Sequence, residues 1–192
     1  MLGPIFDAAL AAQAVCRKIG LPFCVIGGVA LQRWGEPRYT ADVDLSVLVE
    51  AGREALAAQA LIAELSPRIE DAEGFAARTR VVLLRTREGV DIDIVLAGLP
   101  FEARVIDRST LWNLDETASL RTCSAEDLLV MKAFAGRDKD WADVTSVLER
   151  QGGKLHIDQV RNELRPLVEA KQEPGLFAEL ERRIQTILRG NE

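Results

Sequence analysis

Residues 26–45 read Ile-Gly-Gly-Val-Ala-Leu-Gln-Arg-Trp-Gly-Glu-Pro-Arg-Tyr-Thr-Ala-Asp-Val-Asp-Leu, and no other stretch constrains the chain as tightly. Gly27-Gly28 permits a tight turn. Val29 to Trp34 follows as a short apolar helix that stops near Gly35. Asp42 to Val49 reads as a strand, and its Val43, Leu45 and Val47 alternate with Asp42, Asp44 and Ser46, the pattern of a half-buried strand. Side chains two apart on a strand share a face at ~3.3 Å rise per residue. The roots of Asp42 and Asp44 are therefore about 7 Å apart, close enough to converge on one or two divalent ions. Glycines at the start of a helix also let backbone N–H groups approach a phosphate, where the helix dipole favours anions.

A second acidic pair stands in Val90-Asp-Ile-Asp-Ile-Val-Leu96. Asp91 and Asp93 share one face, opposite Val90, Ile92 and Ile94, and spacing alone does not separate them. Val81–Arg85 and Val90–Leu96 read as a hairpin around Arg87-Glu88-Gly89. Upstream, Ile5, Leu10, Val15 and Ile19 mark a helix stopped by Gly20, and 21–26 reads as a short buried strand. Alanine- and leucine-rich residues 51–65 form another helix, interrupted at Pro67. Residues 101–123 hold a helix or loop and a short strand at 118–122.

Ser124-x-x-Asp127 resembles a capping box and opens one long helix reaching about Arg150. Gly152-Gly153 separates it from helices at 157–171 and 174–189. On a single helix at 100° per residue, Val130, Phe134, Trp141, Val144 and Leu148 form an apolar stripe with Arg137 in its middle. A guanidinium there needs a carboxylate or a route to solvent. Lys132, Lys139 and Asp143 share the opposite stripe with Gly136, an arrangement suited to a cleft wall. The expected fold is α+β: a small mixed β-sheet flanked by helices, residues 1–123, followed by a helical C-terminal part, residues 124–192.

Composition narrows the class of partner. A net charge of −6 with dispersed basic residues argues against coating bulk DNA. Part of that acidity is the carboxylate cluster itself. No eighteen-residue apolar run and no basic-then-apolar N-terminus occurs, so neither a membrane span nor a signal peptide is expected. Cys16, Cys24 and Cys123 lack metal-site spacing and read as reduced thiols of a cytoplasmic protein. His156, the one histidine, lies far from every motif and is read as a bystander. No nucleophile motif accompanies it, which argues against acyl transfer.

The combination of Gly27-Gly28 with Asp42-x-Asp44 and a later strand aspartate resembles the nucleotidyltransferase superfamily, with its polymerase-beta-like fold. Arg38-x-Thr40-x-Asp42-x-Asp44, together with Asp127-Leu-Leu-Val-Met-Lys132-Ala-Phe-Ala-Gly-Arg137-Asp-Lys139-Asp140-Trp-Ala-Asp143, is more closely similar to the abortive-infection nucleotidyltransferase toxins (AbiEii/AbiGii). The likeness covers roughly residues 20–150. It implies Mg²⁺ or Mn²⁺ held by Asp42, Asp44 and Asp93, with Asp93 favoured over Asp91 as third ligand or general base. It further implies an NTP such as ATP bound by Gly27, Gly28, Arg38, Thr40 and Lys132, with Arg137, Asp140 and Asp143 in support. Gly28 stands where many relatives carry serine, which removes one hydroxyl contact to phosphate.

The implied reaction moves a nucleoside monophosphate from the NTP to an acceptor hydroxyl and releases pyrophosphate. The acceptor stays open among a tRNA end, a protein hydroxyl (as in a toxin with a cognate antitoxin) and a small molecule such as an aminoglycoside or lincosamide. A non-catalytic nucleotide-binding module of the same fold is the other class. Three filled carboxylate positions argue against it.

Overall fold

The computed structural model describes residues 2–188. It comprises two compact units: residues up to Ala30 with Tyr39–Cys123, and Leu31–Arg38 with the chain from Ser124 onward.

The first unit is built on one seven-stranded mixed sheet. Its strands are β1 (Phe23–Ile26), β2 (Asp42–Leu48), β3 (Ser66–Pro67), β4 (Val81–Arg85), β5 (Asp91–Ala97), β6 (Thr110–Asn113) and β7 (Ser119–Thr122). Their order across the sheet is β3-β4-β5-β2-β1-β7-β6. β2 lies at the centre, antiparallel to β1 and parallel to β5. The expected hairpin is β4–β5, closed by Thr86 N–H donating to the Val90 carbonyl at 2.9 Å.

One face of the sheet carries Val43, Leu45, Val47, Val82, Leu84, Ile92 and Ile94, all fully buried. It packs on small residues of three helices: α1 (Pro4–Lys18) through Ala8, Ala9 and Ala12, α3 (Glu54–Glu64) through Ala57 and Ala58, and α4 (Ala72–Thr79) through Ala76. Alanine at these positions lets each helix sit close to the β-branched surface of the strands. Buried Gln13 fastens α1 to the sheet, donating to the Ser119 carbonyl and accepting from Arg121 N–H, each at 2.9 Å. The sheet is larger than the expected small one, since β3 and β6 are additional strands. α4 was likewise unforeseen, and α5 (Pro100–Asp107) resolves the helix-or-loop alternative as a helix.

α2 (Gly27–Trp34) begins in the first unit and ends in the second. The second unit also contains α6 (Ala125–Ala135), α7 (Asp138–Gln151), α8 (Ile157–Lys171) and α9 (Pro174–Leu188). The expected single helix from 124 to about 150 is therefore two helices. α6 ends where Gly136 adopts the left-handed conformation (φ 67°) and its N–H returns to the Lys132 carbonyl. Arg137 then takes extended backbone as the N-terminal flank of α7. The apolar stripe drawn through one helix, with Arg137 at its centre, does not exist. Arg137 is 62 % exposed and pairs with Asp140. The expected helix to 189 is described as far as Leu188, its last residue lying outside the described residues.

Cys16, Cys24 and Cys123 are buried thiols that form no disulfide, and burial pushes the Cys16 thiol up to about 12. Among the described residues no helix is long and apolar enough to cross a membrane.

Candidate active site

The parallel ladder between β2 and β5 sets Asp42 opposite Asp91 and Asp44 opposite Asp93. Residues opposite each other in a sheet share a face, so four carboxylates project from the face opposite the valine and isoleucine core. Three of them converge. Asp42, Asp44 and Asp93 each offer an oxygen, and these oxygens lie within 4.8 Å of one another. All-oxygen carboxylate donors at that separation suit a hard divalent cation such as Mg²⁺ or Mn²⁺.

Asp91 is engaged differently. It accepts from Arg85 Nε at 2.6 Å and from Arg68 Nη1 at 2.6 Å. The bond from Arg85, with that from Arg68, holds the Asp91 carboxyl below its ordinary range against partial burial. Arg68 also donates through Nη2 to Asp93 Oδ1. Burial pushes the Asp93 carboxyl above the ordinary range. Arg68 opposes this, while the charges of Asp42 and Asp91 add to it.

The glycine turn fits closely around the acids. Gly27 opens α2 with φ 62°, and a Cβ there would overlap the Asp44 carboxylate. A Cβ on Gly28 would come within 2.9 Å of Thr40 Cβ. Gly28 is thus required by the approach of Thr40, which places a hydroxyl beside the turn. The Thr40 hydroxyl donates to Asp42 Oδ1 at 3.1 Å.

The remaining expected residues belong to the helical unit and form a charge network there. Lys132 Nζ lies 3.2 Å from Asp140 Oδ1 and 2.7 Å from Asp143 Oδ2. Arg38 grips Asp143 with two bonds of 2.7 and 2.8 Å, and Arg137 pairs with Asp140. Burial raises both carboxyls, but their partners outweigh it. Arg38 and Lys132 hold Asp143, and Arg137 and Lys132 hold Asp140, below the ordinary range. Lys132, expected on phosphate, has two buried carboxylates as partners. Asp140 and Asp143, expected as supporting residues, are those partners. Lys139 is exposed, and His156 only flanks α8, its N–H donating to Glu126.

Reading the sequence did not find Arg68 or Arg85. Arg85 carried a usable signal, because a hairpin centred on Arg87-Glu88-Gly89 pairs it with Asp91. Arg68 carried none, since it follows a two-residue edge strand that ends in proline.

The model of the AbiEii nucleotidyl transferase toxin, of a type IV toxin–antitoxin system, matches residues 8–189. No curated protein matches the chain in sequence. Among solved structures, it is similar to an antigenic nucleotidyltransferase-like protein from Paracoccidioides brasiliensis, at 17 % identity and TM-score 0.50, over 97 % of this chain and 100 % of that one. It is also similar to ANT(2'')-Ia in complex with adenylyl-2''-tobramycin, at 15 % identity and TM-score 0.55, over 86 % and 98 %. The solution structure of the same antibiotic-resistance factor aligns at 16 % identity and TM-score 0.51, over 90 % and 92 %.

Proposed function

Since the chain belongs to the AbiEii nucleotidyltransferase toxin family, we propose that it transfers a nucleoside monophosphate from an NTP to an acceptor hydroxyl. The observation that carries this reading is the convergence of Asp42, Asp44 and Asp93 within 4.8 Å beside the Gly27-Gly28 turn. Asp42, Asp44 and Asp93 would hold Mg²⁺ or Mn²⁺. When bound, such an ion stabilises charge on the triphosphate and acidifies the attacking hydroxyl.

Each side chain then has a role. Gly27 and Gly28 present backbone N–H groups at the start of α2 to the phosphates. Thr40 orients Asp42 through its hydroxyl. Asp93, whose carboxyl burial pushes above the ordinary range against Arg68, takes the proton of the acceptor hydroxyl. The acceptor oxygen bonds to the α-phosphorus, the bond from that phosphorus to the bridging oxygen breaks, and pyrophosphate leaves. Lys132, Arg137, Asp140 and Asp143 serve as the scaffold that fixes Arg38, two residues ahead of Thr40 in the chain.

A macromolecular acceptor, a tRNA end or a protein hydroxyl, is the first reading, and the toxin–antitoxin family supports an antitoxin as partner. The fold shared with ANT(2'')-Ia supports a second reading, an aminoglycoside acceptor, and a net charge of −6 suits a cationic drug. Calorimetric titration with each NTP, with and without Mg²⁺, tests the nucleotide half of the proposal. Binding that needs Mg²⁺ and disappears in Asp42→Ala/Asp44→Ala is expected. Binding indifferent to both would contradict it.

A further inference from the structure

Arg68 lies one step beyond the β3–β4 register pairs, and its backbone N–H donates to the Leu83 carbonyl at 3.0 Å. Leu83 pairs with Asp93, and Asp93 with Asp44. Arg68, just past β3, thus lies in one row with Leu83, Asp93 and Asp44 of three neighbouring strands, which aims the guanidinium along the sheet at the third carboxylate. It is 19 % exposed. Its two terminal nitrogens divide between acids, Nη1 to Asp91 and Nη2 to Asp93. Its Nε is buried without a hydrogen-bond partner. A guanidinium that leaves a buried N–H unsatisfied is held by its terminal bonds, not by the fit of its whole donor set. Asp91 is itself fixed from its other oxygen by Arg85.

We propose that Arg68 is a positioning residue for Asp93, a bridge anchored by Asp91 and Arg85 that turns the third carboxylate toward Asp42 and Asp44. The proposal rests on the reading of those three acids as the metal-binding set. Asp91 then acts as the post that holds the bridge, which explains why two aspartates stand on β5 and one joins the cluster. Arginine suits the task because its planar fork spans two carboxylates, whereas a lysine is a single point charge. Carboxylates that ligate metals are commonly held by such outer hydrogen bonds, and losing one costs roughly 10–100-fold in metal affinity or activity.

The test is Mn²⁺ affinity, read by electron paramagnetic resonance of the free ion. It compares wild type with Arg68→Met/Asp91→Asn, Arg68→Lys and Asp44→Asn, with thermal melts to confirm folding. The double variant keeps the net charge of the sheet face unchanged, so a simple change of local potential does not move the result. Weakening by roughly 10-fold or more in the double variant, with a smaller loss in Arg68→Lys, is expected. Unchanged affinity in the double variant would remove the positioning role. Tighter binding would overturn it in favour of a guanidinium that competes with the ion. Absence of Mn²⁺ binding by wild type, or binding equal in Asp44→Asn, would instead defeat the metal reading itself.

Should the variants not fold, the wild-type protein still decides. Arginine side-chain nuclear magnetic resonance during Mg²⁺ titration should show Arg68 Nη groups that remain hindered at saturation. Their release on Mg²⁺ binding would refute the bridge.

Discussion

Asp93 stands directly opposite Asp44 in the parallel pairing of β2 with β5, so the third carboxylate is placed by strand register and not by a loop. Charge stabilisation by a bound ion is worth several kcal/mol in a transition state. Asp44→Asn and Asp93→Asn should each lower nucleotidyl transfer by roughly a hundred- to a thousandfold. Asp44→Asn should not lower the melting temperature, because it removes a negative charge from a cluster of like charges, whereas Asp93→Asn also takes a charged partner from Arg68 and should lower it. Kinetics and thermal melts of the two variants, made side by side, check both halves.

Asp91→Asn should behave differently from Asp93→Asn. Asp91 is tied to Arg68 and Arg85 and does not belong to the converging set. Some transfer activity should survive in Asp91→Asn, at an Mg²⁺ requirement raised by roughly 10-fold, the low end of the 10–100-fold range for losing a hydrogen-bond partner behind a metal ligand. Initial rates against Mg²⁺ concentration measure it. Equal inactivation of the two variants would count against their different roles.

Gly27→Ala tests the turn. Its backbone is left-handed, and the added methyl would overlap the Asp44 carboxylate. The backbone conformation alone costs about 1–2 kcal/mol for an L-residue. A lower melting temperature together with loss of Mg²⁺-dependent NTP binding is expected from melts and calorimetry.

Lys132→Met tests the network of the helical unit. Asp140 is fully buried and Asp143 nearly so, and losing Lys132 strips one partner from each. Arg137 stays on Asp140 and Arg38 on Asp143, so the loss should be about 1.5–3 kcal/mol, the range for a hydrogen bond to a charged group. The pH dependence has a definite sign. Both carboxyls lie below their ordinary value of 3.8 in the folded protein, so the stability they contribute is present above that value. It is lost as pH falls through the depressed values. Without Lys132, burial weighs more, and acid unfolding should begin at higher pH than in wild type. Urea midpoints across pH report the shift.

Much of the candidate site was legible because it is local. Asp42 and Asp44 sit two apart in an alternating strand, and Asp91 and Asp93 repeat the pattern. What separates Asp91 from Asp93 is not local, since it depends on Arg68, just after β3, and on the pairing of β5 with both β2 and β4. The break after α6 was hidden for a different reason. Residues on both sides of Gly136 continue an apolar rhythm, and one glycine in such a run is compatible with an unbroken helix. Only the left-handed backbone at Gly136 reveals that Lys132 meets Asp140 and Asp143 across a corner between two helices. α4 lies in a stretch with weak periodicity, where tertiary packing of Ala76 decides the outcome.

The most direct test follows which phosphate travels. Parallel incubations with α-³²P- and γ-³²P-labelled NTP and Mg²⁺ would use total tRNA, lysate proteins and an aminoglycoside and lincosamide panel as acceptors. The expected result is α-label on one acceptor class and γ-label released as pyrophosphate, both abolished in Asp42→Ala/Asp44→Ala. Transfer of γ-label, or α-label transfer that survives the double substitution, would contradict nucleotidyl transfer at Asp42, Asp44 and Asp93.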